Sequence, residues 1–98
     1  MLRISFAQSA SNDLLNIKRY YKLEGVEKIG QQFVTSIIEH IKTLEKHPNI
    51  GRIVPEFNNE KIREIIHSPF RIVYLYEQNS INIIRVWRSE RLLSLSKH

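Results

Sequence analysis

The 98-residue chain contains no cysteine, which excludes a disulfide framework and thiol catalysis and removes most zinc-site patterns. Glycine and proline are scarce, at three each, and no repeat, linker or low-complexity tract separates one part of the chain from another. No apolar run approaches the roughly 20 residues that span a bilayer. The opening residues Met1-Leu2-Arg3-Ile4-Ser5-Phe6 alternate polar and apolar side chains instead of forming the apolar block of an export signal. A cytoplasmic protein with no membrane partner is therefore expected. His40, His47, His67 and His98 are scattered, with no carboxylate or second histidine at ligand spacing, so neither a metal site nor a cofactor is expected.

Anionic residues are the other shortage. Ten Asp and Glu stand against 15 Lys and Arg, and the resulting formal charge of +5 favours an acidic partner such as nucleic acid or an acidic protein. The excess is uneven along the chain. From Arg52 onward six of the eight basic residues are arginine (52, 63, 71, 85, 88, 91), whereas only Arg3 and Arg19 are among the seven before it. The planar guanidinium fork suits bidentate phosphate and carboxylate contacts, so the contact surface is expected in the second half. Hydrophobic content of 42% with 26% charged residues is that of a folded chain, and the length suits a single domain over residues 1–98.

Leu2, Ile4 and Phe6 alternate with Arg3 and Ser5, a short strand with one apolar face. Ser9, Ser11 or Asn12 then offers a cap for a helix carrying Leu14, Ile17 and Tyr21, which ends between Leu23 and Gly25. A second helix is expected from Val26 to Lys46, because Ile29, Phe33, Ile37, Ile41 and Leu44 recur at helical spacing. Gly30 lies inside it as a weak spot, and Pro48 stops it. Residues 48 to 60 hold Gly51, Pro55, Asn58 and Asn59 and read as a loop. Three strands follow, Ile62 to Ile66, Pro69 to Tyr76 and Ile81 to Arg91, the last two joined by Glu77-Gln78-Asn79-Ser80. The order β-α-α-β-β-β, with helices segregated from most strands, defines an α+β class: a helical hairpin packed on a small antiparallel sheet.

Centring the hairpin on residues 77 to 80 opposes Tyr76 to Ile81 and Arg71 to Val86. Arg71, Val73 and Leu75 then share one face with Ile84, Val86 and Arg88, while Phe70, Ile72, Tyr74 and Tyr76 share the other with Ile81, Ile83, Arg85 and Trp87. Both faces are largely apolar, and one helical layer covers only one of them. An apolar sheet face awaiting a partner is the expectation, with Arg71 and Arg88 at one end of the same face and Arg91 just beyond. Arg71 is equally open to a structural ion pair with Glu64 or Glu77.

Taken together, Ala10 with Asp13-Leu14 and Ile17 to Tyr21, then Leu44 with Pro48, Gly51-Arg52 and Val54-Pro55-Glu56, then Ile62-Arg63-Glu64, Phe70-Arg71-Ile72-Val73-Tyr74 and Ile83-Ile84-Arg85-Val86 with Arg88 and Arg91, make a chain that resembles the ParE branch of the ParE/RelE superfamily, the toxins of type II toxin-antitoxin modules. The resemblance implies a small toxin neutralised by a cognate, ParD-like antitoxin whose C-terminal segment wraps it in a hetero-oligomer. It implies action on DNA gyrase, with the ribosome-dependent cutting of messenger RNA by RelE-type relatives as the alternative and a non-toxic antitoxin-binding relic as a third. Fold alone does not choose among them. Under the RNA-cutting alternative Arg71 matches the strand arginine placed at the phosphate, and Glu56 lies where some members keep a general base. At the final strand, where many relatives have histidine or tyrosine, this chain has Trp87-Arg88, and an arginine with a pKa above about 12 is a poor proton shuttle. The expected contact residues are Arg71, Arg88 and Arg91 for the target, and Val73, Leu75, Ile84, Val86 and Trp87 for the antitoxin.

Overall fold

A computed structural model of the protein describes residues 2–88. The elements run β1 (Arg3–Phe6), α1 (Gln8–Leu23), α2 (Glu27–Lys42), a 3-10 turn (Thr43–Glu45), β2 (Arg52–Ile53), β3 (Ile62–His67), β4 (Phe70–Glu77) and β5 (Ser80–Arg88). The α+β reading is correct, with one strand more than the sequence implied: Arg52 and Ile53, expected in a loop, pair antiparallel with Glu64 and Arg63. The sheet order is β1-β5-β4-β3-β2. β1 lies parallel to β5, while β2 to β5 are antiparallel neighbours.

The first helix begins without a side-chain cap, against the expectation for Ser9, Ser11 or Asn12. Its start is set from the sheet instead. The Ala7 N–H donates to the Ile83 carbonyl at 2.8 Å, so the chain stays paired to β5 until it turns directly into helix. Ser9 and Asp13 then serve the edge of β5 that short β1 leaves open. The Ser9 hydroxyl donates to the Ile84 carbonyl at 2.6 Å, and the Asp13 carboxylate accepts from the Val86 N–H at 2.8 Å. Both side chains occupy backbone groups that would otherwise form a bare strand edge.

Gly25, at φ 80°, reverses the chain between the helices in a conformation that costs glycine little. The buried stripe of α2 is Gly30, Val34, Ile37 and Ile41. Ile29, expected inside, is 42% exposed. Gly30 is no mere weak spot: a Cβ there would sit 2.9 Å from the Tyr21 Cβ, so its hydrogen lets the two helices approach.

Two local features settle which side chains share a sheet face. Gln78 and Asn79 both have positive φ (50° and 60°), which makes the β4–β5 connection a two-residue type I′ turn with Glu77 and Ser80 already paired. Tyr76 opposes Ile81 as expected, but the register shifts between Val73 and Tyr74: Tyr74 pairs with Ile83 and Val73 with Arg85. Ile84 is thus the extra residue of a β-bulge. Beyond it, Arg71 opposes Trp87 rather than Val86, and Arg88 opposes Phe70.

The core between helices and sheet holds Ala10, Ile37, Ile41, Leu44, Ile65, Phe70, Ile72, Tyr74, Ile81, Ile83 and Val86. The Tyr74 hydroxyl reaches through this layer to donate to the Pro48 carbonyl at 2.8 Å and accepts from the Gly51 N–H at 3.0 Å, and burial raises its pKa. The opposite face is not the bare apolar surface expected. Val54 and Val73 are fully buried yet outside the main core, and the stretch from Val54 to Phe57 folds back beside β4 and β5, with Glu56 on Arg71 and the Phe57 ring stacked on Trp87 at 6.3 Å.

Candidate functional site

Arg71 stands at the centre of the second sheet face. Antiparallel pairing of Ile66 with Arg71 and of Val73 with Glu64 places Glu64 diagonally across from Arg71, within reach of a long side chain. The Arg71 Nε donates to Glu64 Oε1 at 2.7 Å, and its two terminal nitrogens grip Glu56 at 3.0 and 3.2 Å. The Arg52 Nε donates to the other Glu64 oxygen at 2.6 Å. Two guanidinium and two carboxylate groups thus form a closed cluster. Arg71 is 4% exposed and Glu64 1%. Burial works against the Arg71 charge, but its bonds to Glu56 and Glu64 prevail and raise its pKa. The bond from Arg71 is also the main cause that holds the Glu56 carboxyl below the usual glutamate range.

Trp87 flanks the cluster. The guanidinium carbons of Arg71 and Arg85 lie 5.3 and 5.2 Å from its ring centre, within cation–π range. Arg85 is turned to α1, where the Asp13 carboxylate accepts two bonds from it at 2.9 and 3.0 Å. Asp13 therefore binds a side chain and the Val86 N–H at once, linking α1 to the bulged half of β5.

Arg88 is the correction with most bearing on function. It was expected beside Arg71 on one face. Because the bulge at Ile84 inverts the alternation of β5, the two lie near one end of the sheet but on opposite faces. Arg88 packs on the helix side, its guanidinium 5.5 Å from the Phe70 ring and 5.8 Å from that of Tyr20, with a 3.3 Å bond to the Tyr21 hydroxyl. It borders an open groove of about 460 Å³ between α1 and β5, lined also by Asn16, Ile17, Val86 and Trp87.

Of the remaining expected site residues, Val73 is fully buried and Val86 is 4% exposed in the main core, so neither presents a surface to an antitoxin. The bulge and β5 backbone again explain the split, since Val86 faces the helices and Val73 does not. Leu75, Ile84 and Trp87 are half-buried. Arg91 lies outside the described residues. Glu56 and Arg71 are brought together, but as a salt bridge rather than as a base and a free phosphate contact.

Two groupings escaped sequence reasoning. Asp13 with Arg85 joins residues 72 positions apart. His40 and His67 meet across the interface of α2 and β3, their Nδ1 atoms 2.9 Å apart, although 27 residues separate them and no spacing rule covers a helix and a strand. Glu64 in contrast is one of the two ion-pair partners, with Glu77, that the sequence offers Arg71, and the fold selects it.

The fold is a two-helix layer on a bulged five-stranded sheet, with a neutralised arginine cluster on one face and an arginine-edged groove on the other. Over residues 4–93 the chain matches the family described as the ParE toxin of the type II toxin-antitoxin system, parDE. It belongs to the ParE toxin family. Among solved structures it is similar to a chain of the chromosomal ParDE toxin-antitoxin system of Pseudomonas aeruginosa, at 23% identity and TM-score 0.76 over 90% of this chain and 96% of that one. It is also similar to a copper-bound point mutant of a Helicobacter pylori toxin, at 20% identity and TM-score 0.60 over 94% and 99%. A conserved hypothetical protein of Helicobacter pylori shares the fold at 19% identity and TM-score 0.53 over 92% and 97%. Comparison with curated proteins found no match.

Proposed function

We propose that this ParE-family toxin acts by binding DNA gyrase and stalling it on cleaved DNA, without bond-making chemistry of its own, and that a cognate ParD-like antitoxin neutralises it. The observation that carries the choice over RNA cutting is the closed Arg71 cluster. Attack of a 2'-hydroxyl on phosphate needs a base, a cation at the phosphorane and an acid for the leaving oxygen. Here the base candidate Glu56 is spent on Arg71 and held ionised at low proton affinity, and Arg71, itself nearly closed to solvent, already serves two carboxylates. The target contact then falls to the groove beside Arg88, with Arg91 as a further contact residue. Leu75, Ile84 and Trp87, with exposed Ile66 and Phe57, are the apolar residues left for an antitoxin on the second face.

Purified protein added to gyrase and supercoiled plasmid is expected to trap linear DNA, and messenger RNA from induced cells is expected to show no codon-positioned cuts by primer extension. Glu56→Gln separates the readings within one variant. It retains toxicity if the protein acts by binding, and it loses both toxicity and RNA cuts if Glu56 is a general base.

A further inference from the structure

His40, in the last turn of α2, and His67, at the end of β3, form a pair that the proposed gyrase contact does not use. Their ring centres lie 5.1 Å apart, close to the span of two imidazoles joined end to end through one hydrogen bond. A third side chain decides their tautomers. The Ser36 hydroxyl donates to the Phe33 carbonyl at 3.0 Å, one turn back in α2. Its oxygen has only lone pairs left for His67 Nε2, 2.9 Å away. With that bond kept, the His67 ring donates from Nε2, its Nδ1 is an unprotonated acceptor, and His40 supplies the Nδ1 proton between them, tautomers assigned from the hydrogen-bond pattern.

His67 thus has the arrangement that metal-ligating histidines share: one ring nitrogen held as a donor by a neighbouring oxygen, the other left as a directed lone pair. We propose that His40 and His67 form a two-imidazole site for a nitrogen-preferring transition-metal dication of the Zn²⁺ or Cu²⁺ class, bound through both Nδ1 atoms in place of the proton they share. Zn–N bonds of about 2.0–2.1 Å at a tetrahedral angle set the two nitrogens roughly 3.3 Å apart, against 2.9 Å here, and both rings must also turn so that lone pairs now aimed along the shared hydrogen bond converge on one metal position. Both residues are half-buried.

On binding, the His40 proton transfers from Nδ1 to Nε2 through solvent, and both imidazoles ligate in neutral form with no net proton release. Among the described residues no group of three metal-ligating side chains of the His, Cys, Asp or Glu type exists, so water completes the coordination and the affinity is that of a two-ligand clip. Its consequence is mechanical: the metal joins the end of the helical hairpin to the strand that carries Glu64.

The test is a Zn²⁺ titration of the full metal-free chain at neutral pH, read by calorimetry, by melting temperature and by the histidine ring signals in NMR. One equivalent is expected to bind, raise the melting temperature and shift the His40 and His67 rings. His40→Gln, whose amide still donates to His67 Nδ1, and His67→Ala should each weaken binding at least tenfold. His47→Ala and His98→Ala should leave it unchanged. Ser36→Ala removes no ligand and should weaken binding by about tenfold through loss of the oriented tautomer. Absence of Zn²⁺ stabilisation overturns the proposal, as does binding that survives His40→Gln in a protein of unchanged circular dichroism, or binding that follows His47 or His98.

Discussion

Replacing Arg71 by methionine removes the one cation that the buried Glu64 carboxylate meets on its inner side. Glu64 has no solvent access at its side chain, Arg71 has 5%, and the remaining partner, Arg52, is 58% exposed. Leaving one member of a buried pair without its counter-ion costs about 3–5 kcal/mol. That is a large part of the roughly 5–15 kcal/mol that holds a domain together. With about 4–8 °C of melting temperature per kcal/mol for a domain of this size, Arg71→Met should melt at least ~12 °C lower. Glu56 is the internal control, because its side chain is 46% exposed and water takes over when it is neutralised. Glu56→Gln should cost no more than about 1 kcal/mol. The double replacement Arg71→Met with Glu64→Leu removes both buried charges and should recover most of the loss, since an apolar pair of similar volume is often as stable as the ions it replaces. Thermal and urea melts followed by circular dichroism measure all three. The reasoning fails if Arg71→Met melts within a few degrees of the parent, or if the double variant is less stable than the single one. A toxin made inactive by Arg71→Ala would then be read as a folding defect, not as loss of a phosphate contact, wherever the melt shows the predicted drop.

Asp13→Ala leaves the Val86 N–H without its acceptor and Arg85 without its partner; a loss of about 1–3 kcal/mol is expected in urea unfolding, with faster amide exchange at Val86. Gly30→Ala gains close to 1 kcal/mol of helix propensity but sets a methyl 2.9 Å from the Tyr21 Cβ; overpacking costs of about 1–3 kcal/mol should prevail, and a higher melting temperature would contradict the close helix contact. The Glu56 carboxyl is depressed in the folded protein, so its contribution is complete above the unfolded glutamate value of about 4.3 and disappears as pH falls through the lower folded value. The stability difference between the parent and Glu56→Gln should therefore be constant at neutral pH and shrink below about pH 4.3, measured as melting temperature against pH.

Strand and helix positions were legible because their signals are local. Alternation marked β1 and runs of β-branched and aromatic residues marked β3, β4 and β5; a helical stripe marked α2, although its inner line runs through Gly30 and Val34 instead of Ile29; polar residues at 77 to 80 marked the hairpin. Glu64 was one of two carboxylates, with Glu77, open to Arg71, and the β3–β4 register selected it. The β2 strand was hidden because two residues carry no periodicity.

What remained was decided in three dimensions. Side-chain direction along a strand is a matter of parity, and one unpaired residue reverses it for every position beyond. Ile84 is that residue in β5, flanked by the bond that Ser9 donates to its carbonyl and the bond that the Val86 N–H donates to Asp13; both side chains come from a helix some 70 positions away. Sequence alone therefore determined that arginines would stand at the far end of a β4–β5 hairpin. Only the packed chain decided that Arg71 turns inward to Glu64 and Glu56 while Arg88 turns toward the helices, because the bulge that separates them is held by groups distant in sequence and adjacent only after folding.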